Sequence, residues 1–237
     1  LGRTLGAESV GLFQRALIDD TIARARMHWL GAEQSLVDFL HGVLTMDLAR
    51  TKGAATGVSR IRRFALKVQQ FTGPLMAKSL EDTAFYRYPR LLALNEVGGN
   101  PIGDGFSIRS FHTALSKRQK TFPHGLTATA THDTKRGEDA RARLAALPEL
   151  ASEWRECIRQ WRSINRQHIQ SDHGVRSPSL AFEYLLYQSL VGSWPLESDS
   201  SFPERFKSYA IKAAREGKLE TSWLKPNAAY EDGLVTF

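Results

Sequence analysis

A histidine and an aspartate stand side by side at the end of the segment LTATATHD, which runs from Leu126 to Asp133. Such a pair can hydrogen-bond sugar hydroxyls, and its carboxylate can stabilise positive charge that develops in a transition state. Threonine and alanine alternate before it, and such small side chains suit a strand in a crowded barrel interior. We therefore expect His132 and Asp133 at the carboxyl end of a barrel strand, where barrel enzymes keep their active sites. The alternative is a plain turn at a strand end, closed by the aspartate.

A second unusual stretch, EDTAFYRYPR, places charged groups among aromatic rings without a helical or strand period. Glu81, Asp82 and Arg87 lie close to Tyr86 in this stretch. Aromatic faces can pack on sugar C–H bonds while charged groups bind hydroxyls, so the composition is typical of a carbohydrate subsite. The alternative is a packed loop with an internal arginine–carboxylate pair. Glu96 follows ahead of a glycine turn and is a weak signal alone.

Metal and nucleotide chemistry find no support in the sequence. The seven histidines are scattered, without an HExxH motif or a spacing that suggests a third ligand. The motifs GxGxxG, GxxxxGK[ST] and GxSxG are absent. We therefore expect no metal and no cofactor. The single cysteine, Cys157, excludes an internal disulfide and fits a reducing compartment, so we expect a cytoplasmic location.

The formal net charge of +7 raises the question of nucleic acid. Arginines at 155, 159, 162 and 166 form a basic stripe on one predicted helix. The pattern favours a solvated face of an amphipathic helix, and a phosphate-binding stripe is the alternative. No apolar stretch approaches the roughly 18–20 residues of a membrane span. We expect neither a nucleic-acid partner nor a membrane partner. Both chain ends look cut, so we expect a piece of a longer protein.

Helical periodicity dominates the chain, and the fold class we predict is mainly α, with one or two short strands. The strand candidates are LTATATHD and the apolar run PLMAKS. We expect Gly73-Pro74 to stop a helix, Gly217 to close another, and TKGAATGVS and SDHGVRSPS to be loops. Helices are predicted over residues 13–30, from 35, and over 58–71, 107–118, 137–147, 150–170, 180–194 and 203–217, with a last one from 226.

Four longer blocks resemble the maltooligosyl trehalose synthases, a family of the α-amylase clan of glycoside hydrolases. They are QQFTGPLMAKSLEDTAFYRYPRLLALNEVGGNP (69–101), ATATHDTKRGEDARARLAAL (128–147), FEYLLYQSLVGSWPL (182–196) and TSWLKPNAAYEDGL (221–234). The resemblance runs from about residue 34 to the end of the chain. It implies a C-terminal, multi-helical segment excised from a larger (β/α)8-barrel enzyme. The implied division is a helical insert (1–72), late barrel strands with active-site loops and the following helix (73–147), and a C-terminal helical region (148–237).

The resemblance also implies a reaction and a set of site residues. The family converts the reducing-end α-1,4 linkage of maltooligosaccharides into an α,α-1,1 linkage by a retaining double displacement. By resemblance Asp133 stabilises the transition state, and the substrate-binding residues are His132, Lys135, Arg136, Glu81, Asp82, Tyr86 and Arg87. The partners implied are the maltooligosaccharide and the missing N-terminal barrel portion, which carries the nucleophile and the acid/base glutamate. We therefore expect this chain alone to be inactive.

Three alternatives remain open at this point. An α-glucan hydrolase of the same clan would release glucose, because water competes with glucose for the same intermediate. A basic helical module would bind nucleic acid through the arginine stripe. A structural or interaction domain would expose apolar surface that another part of the protein covers.

Overall fold

The computed structural model describes residues 10–31, 33–50, 57–103 and 105–237. The predicted fold class is confirmed: the described chain is mainly helical, with one two-stranded hairpin in these ranges. The α-helices are α1 (Leu12–His28), α2 (Gln34–Leu44), α3 (Val58–Met76), α4 (Phe85–Arg87), α5 (Ile108–Thr121), α6 (Glu138–Ala146), α7 (Ala151–Asn165), α8 (Leu180–Ser193), α9 (Phe202–Gly217) and α10 (Ala228–Thr236).

Shorter elements connect these helices. A π-helical segment covers Ala77–Ala84, and 3-10 turns cover Leu48–Arg50, Leu92–Leu94, Leu147–Leu150 and Arg166–His168. The strands are β1 (Gln170–Asp172) and β2 (Val175–Ser177). Residues 51–56 of the predicted loop TKGAATGVS lie outside the described residues. In the described ranges, no helix is both long and apolar enough to cross a membrane.

The chain divides into two compact units, Leu1–Ala77 and Lys78–Phe237. The three-part division implied by the resemblance stays a prediction. In the first unit, Arg15 donates two hydrogen bonds to the Asp47 carboxylate, at 3.0 and 2.6 Å. The hydrogen bond from Arg15 is the main reason that the pKa of Asp47 lies far below its usual range. Apolar side chains from all three helices are buried in this unit: Ile22, Val37, Val43 and Ala65.

The core of the second unit forms where α6, α8, α9 and α10 pack together. Leu144 of α6, Leu185 of α8 and Ala213 of α9 have no exposed surface. The start of α8 is fixed by Ser179, whose hydroxyl accepts a hydrogen bond from the Phe182 N–H at 3.3 Å. Eight of the fourteen residues of α8 are buried, the polar Glu183, Gln188 and Ser189 among them, as expected for a helix surrounded by others.

Two buried amides join this core to the segment that leads into the site. Gln188 of α8 accepts a hydrogen bond from the Leu92 N–H at 2.9 Å and donates one to the Pro89 carbonyl at 2.6 Å. Asn95 donates to the Phe85 and Tyr88 carbonyls, both at 2.8 Å. The backbone from 85 to 95 is thereby held against α8. Glu96 follows directly from this fixed segment.

The prediction that SDHGVRSPS is a loop is wrong, because its first seven residues lie in a β-hairpin. Strands β1 and β2 pair antiparallel, with Gln170 opposite Ser177 and Asp172 opposite Val175. His173 and Gly174 connect them with φ values of 46° and 82°. Positive φ at both central residues is the geometry of tight two-residue hairpin turns, and glycine adopts it without strain.

One predicted helix end is also wrong. PLMAKS is helical rather than a strand, and α3 continues through Pro74. A proline normally excludes helix from the preceding residue through a clash with its Cβ, but Gly73 has no Cβ. The predicted end of α9 is confirmed, because the helix ends at Gly217. Lys218, the residue after it, adopts the left-handed conformation, with φ of 54°.

Candidate active site

The segment LTATATHD does not form the predicted strand, and residues 126–133 are all exposed. A strand is stabilised by hydrogen bonds to a neighbouring strand, and none lies beside this segment in the described part of the chain. Two guanidinium groups bind its carbonyls instead. Arg118 donates to the Leu126 oxygen at 2.9 Å, and Arg141 donates to the Thr129 oxygen. The composition predicts a strand, but the described chain supplies no partner for it.

A tight turn presents the histidine–aspartate pair. The Thr134 N–H donates to the Thr131 carbonyl at 3.2 Å, and the Thr134 hydroxyl donates to the same oxygen at 2.7 Å. The Thr131 N–H donates back to the Thr134 hydroxyl at 3.2 Å, and the Asp133 N–H donates to the Thr131 hydroxyl at 3.3 Å. His132 and Asp133 are therefore the two central residues of a turn that the flanking threonines close.

The side chains at this turn are open to a ligand. His132 Nε2 lies 3.4 Å from Asp133 Oδ2, so the two side chains form a pair. Their side chains are 92% and 73% exposed, respectively. A carboxylate and an imidazole that lie side by side and are open to solvent can bind hydroxyl groups or stabilise positive charge.

Glu96 fixes the backbone that follows the turn. Its Oε1 accepts a hydrogen bond from the Lys135 N–H at 2.7 Å, and its Oε2 accepts one from the Arg136 N–H at 3.2 Å. Arg141 lies 3.8 Å from Oε2 with its Nη1, and it also binds the Thr129 carbonyl before the turn. The Glu96 side chain is only 14% exposed. One carboxylate thus contacts the chain directly after the turn and, through Arg141, the chain before it.

Asp82 contacts the same loop through a side chain. The Lys135 ammonium group donates to Asp82 Oδ1, and Lys78 donates to Oδ2 at 2.6 Å. Burial alone would raise the pKa of Asp82, but the hydrogen bonds from Lys135 and Lys78 outweigh it and lower that pKa. The hydrogen bond to Asp82 raises the pKa of Lys78, and the charge of Asp133 contributes in the same direction. The two lysines and the two aspartates therefore share one electrostatic environment.

The other residues of EDTAFYRY have different surroundings. Glu81 accepts a hydrogen bond from the Gly98 N–H at 3.3 Å. Tyr86 packs against the core, and burial raises its pKa to about 12. Arg87 donates to the carbonyls of Gly217 and Lys218 at the end of α9. Of the four residues predicted in this block, Asp82 is the one whose side chain bonds the loop that follows His132 and Asp133.

Arg136 leads from the loop to a cavity of about 290 Å³. Its Nη2 donates to the Tyr209 hydroxyl at 3.3 Å, and that hydroxyl lies 3.0 Å from the Ser189 hydroxyl. The cavity has aromatic, hydroxyl and cationic groups on its walls, a combination that suits a polar organic ligand. The residues that carry these groups are Lys135, Arg136, Ser189, Ser193, Phe202, Arg205, Phe206 and Tyr209.

Known proteins are similar to this chain in sequence and in structure. A scan against protein-family models found no match. A protein of Mycobacterium tuberculosis (strain H37Rv) that carries the name maltooligosyl trehalose synthase is 37% identical over 182 residues. The structure of maltooligosyltrehalose synthase from Arthrobacter ramosus matches 98% of this chain with a TM-score of 0.73 and 32% identity. The resemblance to maltooligosyl trehalose synthase is confirmed. A Sulfolobus tokodaii structure titled as a hypothetical maltooligosyl trehalose synthase also matches, with a TM-score of 0.64 and 29% identity.

The similarity covers most of this chain and a smaller part of each maltooligosyl trehalose synthase. The matched part is 76% of this chain and 22% of the Mycobacterium protein. The corresponding shares are 98% and 27% for the Arthrobacter structure, and 94% and 32% for the Sulfolobus structure. The chain therefore spans about a fifth of its curated relatives and about a third or less of the solved ones.

The sequence pattern does not mark several residues of the site, among them Glu96 and Tyr209. Glu96 gave only a weak signal, because an acidic residue before a glycine turn is common in loops. Tyr209 gave none, because its position in α9 is compatible with the helix core. The described residues contain no group of three or more potential metal ligands.

Proposed function

We propose that this chain is part of a larger maltooligosyl trehalose synthase and contributes one side of its active site. The reaction would convert the reducing-end α-1,4 linkage of a maltooligosaccharide into an α,α-1,1 linkage. The similarity to proteins with that name supports the proposal. The coverage supports the view that the catalytic apparatus extends beyond this chain.

In this proposal Asp133 stabilises the transition state. Its carboxylate would lie against a sugar ring that carries oxocarbenium character, where a fixed negative charge lowers the barrier. His132 would hydrogen-bond a hydroxyl of the same ring. The exposed position of this pair at the tip of a closed turn is the observation that carries the proposal.

Other residues have roles in binding and shaping. We propose that Lys135 and Arg136 line the side of the site that retains the released glucose. Asp82 would set the position of the Lys135 ammonium group, with which it is paired. Glu81, Tyr86 and Arg87 would shape the wall of the site around the substrate, since their side chains contact the backbone or the core.

The nucleophile and the general acid/base would come from the remainder of the larger protein. A retaining double displacement needs two further carboxyl groups about 5–5.5 Å apart, one on each side of the scissile bond. The isolated 237-residue chain is accordingly expected to give no turnover. We propose a cytoplasmic location for the whole protein, without a nucleic-acid or membrane partner and without a cofactor.

The experiment is product analysis with the full-length protein and maltopentaose. Formation of a non-reducing pentasaccharide supports the mutase, whereas free glucose as the main product supports the hydrolase of the same clan. Asp133→Asn should lower kcat by about 100-fold or more, as expected for loss of a group that stabilises developing charge. Asp232→Asn is the matched control, because Asp232 is exposed on α10. Wild-type kcat in Asp133→Asn would refute the proposed role.

The described contacts of the arginine stripe do not favour nucleic-acid binding. Arg159 lies 2.9 Å from the Glu156 carboxylate, and Arg162 lies 3.7 Å from the Glu183 carboxylate. Carboxylates beside these guanidinium groups compete with phosphate. A salt titration would distinguish the two functions, because phosphate binding weakens steeply with salt and sugar binding does not.

A further inference from the structure

We propose that Glu96 is a positioning residue for the active-site turn. The inference rests on the proposed function, because it assigns Glu96 a role in the reaction that Asp133 would assist. Glu96 would not touch the substrate. It would act through the backbone of the loop that carries the histidine–aspartate pair.

The geometry of the acceptor supports this role. Two consecutive amides, those of Lys135 and Arg136, each donate to a different oxygen of the same carboxylate, at 2.7 and 3.2 Å. Oε1 also accepts from the Val97 N–H at 2.8 Å. Hydrogen bonds to an ionised acceptor are roughly twice as strong as those between neutral groups. Glu96 therefore fixes the direction of the chain two and three residues after Asp133.

Glu96 is connected to the chain on both sides of the turn. Arg141 reaches Glu96 Oε2 at 3.8 Å and also donates to the Thr129 carbonyl, which precedes the turn. The turn is closed locally by threonine hydroxyls, which fix its shape. The Glu96–Arg141 pair adds what those hydroxyls do not provide, namely the position of the turn relative to the rest of the unit.

The backbone that precedes Glu96 is firmly held. Its neighbour Asn95 is fully buried and donates to two backbone carbonyls, and Gln188 fixes the 3-10 turn just before it. The exposed turn is thus connected to the core of the unit by a chain of short polar contacts. A displacement of about 1 Å in a catalytic group lowers a rate by as much as 100-fold.

The chemistry of the contact predicts that only a carboxylate serves. A glutamine at position 96 presents one carbonyl oxygen and one NH2 group. Either the Lys135 N–H or the Arg136 N–H would then face a donor instead of an acceptor. Glu96→Gln should therefore release the loop nearly as much as Glu96→Ala does. Glu153→Gln is the matched control, because Glu153 is exposed on α7.

The first measurement is hydrogen exchange by mass spectrometry on the full-length protein. Both Glu96 variants should exchange faster in peptides that cover residues 129–136, while peptides from α8 stay as protected as in the wild type. Faster exchange in α8 as well would mean that Glu96 merely stabilises the fold, and would overturn the proposal. Unchanged exchange at 129–136 would also overturn it.

The second measurement is steady-state kinetics with maltopentaose. Glu96→Gln should lower kcat by about 10- to 100-fold and change KM by less than about threefold, because the misplaced group acts in the transition state. In an Asp133→Asn background the same substitution should lower kcat no further, since the two residues would act as one unit. An equal loss in both backgrounds would overturn the proposal.

These outcomes separate the inference from the function on which it rests. If the wild-type protein makes no non-reducing product, the proposed function is refuted. If the wild type is active and Glu96→Gln keeps full kcat, the proposed function stands and only the role of Glu96 is refuted.

Discussion

The ammonium group of Lys135 is paired with the carboxylate of Asp82, although 53 positions separate them in the sequence. Both side chains are mostly buried, at 14% and 24% exposure. The pair joins the two blocks, EDTAFYRY and HDTKRG, that the sequence marks as unusual. The loop after the turn is therefore fixed by side chain at Lys135–Asp82 and by backbone at Glu96.

Asp82→Asn should destabilise the chain by about 1–3 kcal/mol, because it leaves the Lys135 ammonium group mostly buried without a charged partner. Urea unfolding followed by circular dichroism measures the change. Lys78→Gln is the control, since Lys78 is 72% exposed and contributes far less. Equal stability of Asp82→Asn and the wild type would show that the pair contributes nothing.

Glu231→Gln should make stability less dependent on pH in the acid range. Arg215 donates to both Glu231 oxygens, at 2.8 and 2.6 Å, and these bonds are the main cause of its lowered pKa. A carboxylate with a lowered pKa in the folded state contributes stability above its unfolded pKa of roughly 4.3. That contribution is lost as pH falls through the lower folded value. The gap in unfolding free energy between wild type and variant should therefore be full at pH 7 and shrink below about pH 4.

The control for this pH dependence is Glu153→Gln, because Glu153 is exposed on α7. A gap between wild type and Glu231→Gln that stays constant from pH 7 to pH 3 would contradict the assignment.

Gln188→Leu should destabilise the chain by about 2–5 kcal/mol, despite the similar size of the two side chains. It would leave the Leu92 N–H and the Pro89 carbonyl without their partner, and each unsatisfied buried group costs about 1–3 kcal/mol. Thermal unfolding measures the loss. Gln160→Leu on the exposed face of α7 is the control. A stability change below that of the control would show that these two bonds are replaced by others.

Lys218→Gly should raise stability by about 1 kcal/mol, because Lys218 has φ of 54° at the end of α9 and glycine adopts that conformation without a Cβ clash. Lys212→Gly, within the same helix, should instead lower stability by about 1 kcal/mol. The two variants differ only in position, so opposite shifts in Tm test the backbone argument directly. Shifts of the same sign would contradict it.

Much of the helical fold could be predicted from periodicity and capping. Helix α5 was predicted over residues 107–118 and begins at Ile108, with the Ser107 hydroxyl accepting from the Ser110 N–H at 3.1 Å. Helix α8 was predicted within one residue at its C-terminal end. Such helices depend on local sequence, which is why local patterns find them.

The errors have a common physical origin in contacts that a local pattern does not contain. The segment 126–133 has strand composition, but a strand requires a neighbour that the described chain lacks. The hairpin at 170–177 was missed because its polar residues resemble a loop, and pairing between strands decides the outcome. Composition and resemblance mark the histidine–aspartate pair, whereas the contacts of Glu96 are to backbone amides, which leave no trace in residue types.

In the turn from Thr131 to Thr134, the side chains that close the bend are different from the His132 and Asp133 side chains at its tip. Its closing hydrogen bonds use the threonine hydroxyls and backbone groups, so a change of the two central side chains leaves these bonds in place. The side chains at positions 132 and 133 can therefore be replaced while the hydrogen bonds that close the bend stay in place.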